Sequence, residues 1–149
     1  MPNNKQNHLY VFVKGNKGKG GYEITDTDFN PIHSDVVENG ETASPYLMDL
    51  QAIEKSLEYI IDNKGNNGIP NEPVIFIFTT FENNYHVAAG IKEPLRKEMK
   101  KFMKNFSQLK RNLIRPGIAS HDEVKCYWIP DNFENRIEDV KRLLDGKSH

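Results

Sequence analysis

At 149 residues, with a net charge of −1 and one cysteine, Cys126, the chain is long enough for a core of its own and excludes an internal disulfide framework, which fits a reducing compartment. No apolar run spans a bilayer and the polar opening MPNNKQNH leads into no signal-type stretch, so the expectation is one cytoplasmic, non-secreted domain over 1–149, disordered at 1–7 and without a membrane partner. The near-neutral total hides an asymmetry: residues 91–115 carry Lys92, Arg96, Lys97, Lys100, Lys101, Lys104, Lys110, Arg111 and Arg115 against Glu93 and Glu98, which leaves the rest at about minus eight.

In chain order, HLYVFV (8–13) is continuously apolar and reads as a central strand. The stretch VKGNKGKGGYEI (13–24) that follows is rich in Gly and Lys, yet matches neither the P-loop pattern nor G-x-G-x-x-G. It leads into a strand rather than a helix, so its glycines read as a hairpin turn and its lysines as solvating the tip. GYEITDTDF and IHSDVVE then read as antiparallel neighbours turned at Asn30-Pro31, completing a three-stranded meander.

Ser44 and Pro45 mark a helix start, and Leu47, Leu50, Ile53, Leu57 and Ile60 lie on one face of a helix over about 45–62. NKGNNGIPNEP breaks it, and VIFIFTTF (74–81) reads as a buried strand joined to the first by a parallel crossover. From Pro94, Leu95, Met99, Phe102, Phe106, Leu109 and Leu113 recur at threes and fours, predicting one long basic amphipathic helix over 94–114. EVKCYWI (123–129) gives a fifth strand. Asp131 with Glu134 forms a capping box for a last helix to about 144, closed by Gly146.

This order, with its local details, resembles type 1 ribonuclease H over nearly the whole chain. In that family the first strand ends in Asp-Gly before a glycine-rich turn and an aromatic; VKGNKGKGGY matches, with Lys14 where the aspartate belongs. YLMDLQAIEKSL matches the acidic helix motif with Asp49 in the acidic place. In TTFENNYHVAAGI, spacing to Tyr85 puts the third acid at Glu82 or Asn83, whereas strand length puts it at Thr79 or Thr80. YWIPDNFENRIEDVKRLL offers Trp128, Asn135 and Asp139, but no histidine in the preceding loop.

The resemblance implies an α/β fold of α+β type: a five-stranded mixed sheet, three antiparallel strands then parallel ones, flanked by helices. It also implies four carboxylates holding two Mg²⁺ or Mn²⁺ ions, a role an ammonium cannot fill. Three readings follow. The domain binds an RNA/DNA hybrid or other RNA-containing duplex but has lost normal hydrolysis, with Lys14, Asp49 and Asp139 in a salt-bridge cluster. Alternatively Asp49, Glu82 and Asp139, or a shifted ligand such as Glu23, still assemble a weak metal-dependent endoribonuclease. Otherwise it is a module for a protein partner.

Lys97, Lys100, Lys101 and Lys104 are the candidate phosphate contacts, and Asn16, Thr42 and Ser44 the candidates for 2′-hydroxyl contacts. Each also has an ordinary reading. Lysines on a helix keep proteins soluble, Asp49 fits the exposed edge of an apolar stripe, and Asp139 suits a helix's first turn. His33, His86 and the neighbours His121 and Asp122 carry no partnered chemistry, and Cys126 suits a core strand.

Overall fold

The computed structural model describes residues 7–40, 43–113, 124–129 and 140. Its elements in order are β1 (His8–Asn16), β2 (Lys19–Thr25), β3 (Pro31–Glu38), α1 (Pro45–Asp62), β4 (Val74–Thr79), α2 (Glu82–Ala88), α3 (Lys97–Leu113) and β5 (Val124–Trp128). The strands form one sheet in the order β3-β2-β1-β4-β5. It is antiparallel across β3, β2 and β1 and parallel across β1, β4 and β5, which is the expected mixed sheet.

The first hairpin is tighter than the sequence suggested. β1 runs on through Lys14 to Asn16, which pairs with Lys19, so the turn is only Lys17 and Gly18, the latter at φ 78°. The other glycines lie in the strands rather than in the turn, for a packing reason. A Cβ on Gly15 would run into the Pro45 carbonyl oxygen and the Asp49 backbone nitrogen, and one on Gly20 into the Met48 carbonyl. Their bare backbone lets α1 sit directly on the β1–β2 hairpin. Gly18 N–H also donates to the Ala43 carbonyl at 2.8 Å, tying the hairpin tip to the segment before α1.

Alternate residues of the central strands face opposite ways. Leu9, Val11, Val13, Ile24, Ile75 and Ile77 join Leu50, Ile53, Leu57 and Ile60 of α1 and Met99, Phe102 and Phe106 of α3 in the main core. On the other face Phe12 is buried together with Val140, surrounded by Tyr10, Val36, Phe78 and Ile129. Val140 is helical, in keeping with a last helix there. Asp131, Glu134, Asp139 and Gly146 lie outside the described residues, as do Thr42, His121 and Asp122.

Two helix starts differ from expectation. Ser44 sits at the N-cap of α1 with extended backbone, and Pro45 follows it, but its hydroxyl makes no capping bond. The basic helix begins at Lys97, not Pro94, because Leu95 is 85% exposed and has no core to meet; Met99 is the first residue of its stripe to be buried. Between β4 and α3 lies the separate short helix α2, which the sequence reading did not mark. Among the described residues no helix is long and apolar enough to cross a membrane.

Candidate functional site

The parallel pairing of β1 with β4 ends at Val13 opposite Thr79, while β1 runs on to Asn16, and Trp128 of β5 pairs with Thr79 on the far side. In open sheets of this kind, ligand sites form outside the carboxyl ends of parallel strands. Lys14, Thr79, Thr80 and Trp128 are the residues that the sheet delivers there.

Asp49 reaches this point from α1, and it is fully buried, not at the exposed edge of a stripe. The reason is helical phase: Asp49, Ala52, Ile53, Ser56 and Ile60 share the inward face, all buried, so the carboxylate lies in the centre of the stripe. Its Oδ2 accepts from the Thr79 hydroxyl at 2.7 Å and from the Asn84 side-chain amide at 3.0 Å. Its Oδ1 has no hydrogen-bond partner. Burial raises the Asp49 pKa to about 6, against the opposing pull of the Asn84 and Thr79 hydrogen bonds and the nearby Lys14 charge.

Lys14 does not hydrogen-bond Asp49. Its ammonium points at the Thr80 hydroxyl, 3.3 Å away, and lies 5.0 Å from the centre of the Phe81 ring. Lys14, Thr80 and Phe81 are all half-buried, so the rim of the site carries a cation and a hydroxyl while the carboxylate is held inside. The expected direct salt bridge between Lys14 and Asp49 is thus replaced by a longer-range interaction, with the ammonium turned to Thr80 and Phe81; Asp139, the third member of the expected cluster, lies outside the described residues.

Trp128 braces the rim from β5, its indole N–H donating to the Thr80 carbonyl at 3.2 Å. Glu82 is not part of the group. It opens α2 with a side chain 61% exposed and pairs with His86 at 3.7 Å. Asn83 is exposed as well, and Glu23, buried on β2, is paired opposite Phe12. Among the described residues no cluster of three or more His, Cys, Asp or Glu is arranged to hold a metal.

A separate groove of about 650 Å³ lies between α1 and α3, lined by none of Lys14, Asp49, Thr79, Thr80 and Trp128. Leu47, Leu50 and Phe102 line its apolar part, and Lys97, Lys101 and Lys55 bring positive charge to its edges, with Glu54 and Glu98 among them. Of the four candidate lysines, Lys97 and Lys101 line the groove, whereas Lys100 and Lys104 are exposed without lining it. Glu54 accepts from Asn105 at 3.3 Å, and its pKa is raised by burial. Asn16 and Ser44, both half-buried, belong to the two segments that the Gly18–Ala43 bond joins.

Tyr46 and Asn84 were not singled out from the sequence, and they tie the two halves together. The Tyr46 hydroxyl donates to Glu98 at 3.2 Å and accepts from Arg96 at 3.1 Å, while its backbone carbonyl accepts from Asn84 at 2.9 Å. One signal did exist: Asn84, Val87 and Ala88 are spaced as an inward stripe, which marks Asn84 as a polar group turned to the core.

Comparison with solved structures decides the fold. The N-terminal ribonuclease H domain of a Mycobacterium tuberculosis protein superposes with a TM-score of 0.70 at 11% identity, over 95% of this chain and 93% of that one. The chain has a ribonuclease H-like fold. LC11-RNase H1, isolated from compost by a metagenomic approach, matches in its complex with an RNA/DNA hybrid at TM-score 0.70 and 17% identity, covering 89% of this chain and 92% of that one. RNase H1 of the halophilic archaeon Halobacterium salinarum matches at 0.66 and 12% identity, covering 93% and 97%. No protein-family model matches the sequence, and neither does any curated protein. The ribonuclease H-like likeness therefore lives in three-dimensional structure.

Proposed function

We propose that this ribonuclease H-like domain binds an RNA-containing duplex, an RNA/DNA hybrid first, along the groove between α1 and α3, and does not cleave it by the two-metal route. The observation that carries this reading is the Lys14–Thr80 contact of 3.3 Å at the joined ends of β1 and β4. Mg²⁺ and Mn²⁺ favour hard, anionic oxygen ligands. Here the rim offers an ammonium and a hydroxyl, and the Asp49 oxygen that is engaged already accepts two hydrogen bonds. Among the described residues this donor set does not fit a pair of divalent cations.

The duplex half of the reading is supported by the groove and its lysines. LC11-RNase H1 has been solved with an RNA/DNA hybrid, and its fold is shared. Lys97 and Lys101 flank the groove where a phosphate backbone would meet them, and such contacts are salt-sensitive and blind to sequence.

One experiment tests both halves. The full chain is incubated with a labelled hybrid in Mg²⁺ and in Mn²⁺, and binding is followed by fluorescence anisotropy across a salt series. Binding that weakens with salt, with no product, is expected. Cleavage abolished by Asp49→Asn would overturn the reading in favour of a nuclease, and the absence of duplex binding would favour a protein partner.

A further inference from the structure

We propose that the outer edge of β3, from Ser34 to Glu38, is a docking site for a protein partner that presents an extended, lysine- or arginine-rich segment, which adds to the sheet as a further strand. The inference is independent of duplex binding and concerns the end of the sheet away from β5.

Position is the first argument. β3 is the terminal strand in the order β3-β2-β1-β4-β5, and β2 is its one partner in the sheet. The phase of its hydrogen bonds follows from the first hairpin. The tight turn makes Asn16 and Lys19 a hydrogen-bonded pair, and such pairs alternate along antiparallel strands. Lys19, Gly21 and Glu23 therefore bond β1, while Gly20, Tyr22 and Ile24 bond Val37, Asp35 and His33 of β3. Ser34, Val36 and Glu38 are left with their main-chain groups turned outward.

Among the described residues no main-chain bond from another segment reaches those outward groups. The Val36 N–H agrees with this phase, since it is met by the carboxylate of its own neighbour, Asp35, at 2.8 Å. The free stretch begins after Ile32, whose side chain lies against Gly68 of the connection between α1 and β4. An unpaired edge is a template for an incoming strand, and β3 carries no lysine and a proline only at its first residue, Pro31, so it lacks the usual protection.

Charge decides the occupant. Residues 20–44 hold six Asp or Glu and no Lys or Arg. Asp35 and Glu38 are exposed, and among the described residues neither makes an ion pair. They stand on opposite faces of the strand. His33, on the face of Asp35, stacks on Tyr59 of α1 with ring centres 3.7 Å apart, whereas Val36, on the face of Glu38, packs near Phe12 across the sheet. Alternate residues of an added strand thus meet a carboxylate whichever face they take. A second copy of β3 would set these acids against their own counterparts, and like charges facing each other across strands are destabilising. A carbonyl of the arriving segment would take the Val36 N–H and release the Asp35 carboxylate to one of its cations.

The test titrates the isotope-labelled full chain at neutral pH with three probes, read by amide NMR. They are a peptide of alternating Lys and Val, the same peptide with Glu for Lys, and the Lys-Val peptide N-methylated at every residue, which keeps the charge but has no N–H to give. The first is expected to shift the Ser34 and Val36 amides, slow their exchange, and bind about tenfold more tightly than either of the others. Asp35→Asn combined with Glu38→Gln should weaken it by roughly three- to tenfold and remove most of its salt dependence. Ser34→Pro deletes an outward N–H but leaves the β2 ladder, which runs through His33, Asp35 and Val37, and should weaken it about tenfold. Each variant is checked by thermal unfolding.

A Lys-Val peptide that leaves the Ser34 and Val36 amides unchanged overturns the inference. So does an N-methylated peptide that binds as tightly as its parent, or equal binding of the Lys and Glu peptides. Wild type that sediments as a dimer and Ser34→Pro as a monomer overturns it in favour of a second copy on this edge. If Ser34→Pro does not fold, the N-methylated peptide on wild type decides.

Discussion

Thr79 and Asp49 form a buried pair: the hydroxyl at the end of β4 donates to the α1 carboxylate at 2.7 Å, with both residues fully inaccessible to solvent. Asn84 adds a second donor to the same oxygen at 3.0 Å. Two neutral donors do not fully offset burial of the charge, and the carboxyl pKa accordingly rises from 3.8 to about 6.

The first prediction is a pH dependence of stability. Because the folded-state value is the raised one, folding takes up a proton between about pH 4 and pH 6, and stability falls as pH climbs through that window. The loss is of the order of 3 kcal/mol for a shift of about two units. Asp49→Asn keeps an acceptor for Thr79 and Asn84 and removes the charge. It is expected to flatten that slope and to raise stability by roughly 1–3 kcal/mol at pH 8, measured by urea unfolding at pH 4, 6 and 8. A variant that is less stable than wild type at pH 8 would show that the charge is better compensated than these contacts indicate.

Thr79→Val tests the donor itself. It is close to isosteric but leaves the Asp49 oxygen with Asn84 alone. The expected cost is about 1–3 kcal/mol at pH 8, where the carboxylate is ionised, shrinking below pH 5. Equal losses at the two pH values would place the effect in packing and in the Phe81 N–H, which donates to the same hydroxyl at 3.1 Å.

A third prediction concerns the seating of α1. Gly15→Ala puts a methyl group against the Pro45 carbonyl and the Asp49 backbone nitrogen. Both are main chain and have nowhere to rotate, so destabilisation of about 1–3 kcal/mol or more is expected in thermal or urea unfolding. Gly40→Ala is the useful contrast. Gly40 has open space around it but a φ of 68°, so its smaller cost comes from backbone strain alone.

The basic helix can be dissected by face. Replacing Lys97 and Lys101 with Ala removes two charges that line the groove, whereas replacing Lys100 and Lys104 removes two that do not. The first pair is expected to lower the salt slope of hybrid binding by about two and the second by less than one. Equal effects from the two pairs would mean that the helix acts only through its overall charge.

Much of this molecule was legible because its patterns are periodic. The central strands, the long α1 and the apolar face of α3 follow from the continuous apolar runs HLYVFV and VIFIF and from the threes and fours through Leu50, Ile53 and Leu57 and through Met99, Phe102 and Phe106. What was not legible depends on which residues meet across the fold. The stripe of α1 could be traced, but not that Asp49 stands at its centre, since that needs the β4 end to supply Thr79 and α2 to supply Asn84. The glycines read as turn residues because positive φ has a sequence signature, whereas close approach of a helix to bare backbone has none. Lys14 was singled out from the sequence, yet the Thr80 hydroxyl and Phe81 ring beside it lie 66 and 67 positions further along the chain, beyond the reach of any local pattern.

Trp128 is the chain's one tryptophan, and its indole hydrogen-bonds the Thr80 carbonyl while its surface remains 44% exposed. The protein therefore carries an intrinsic fluorophore at the rim beside Lys14. Its emission would report occupancy of that rim in unlabelled protein, in real time and free of background from any other indole.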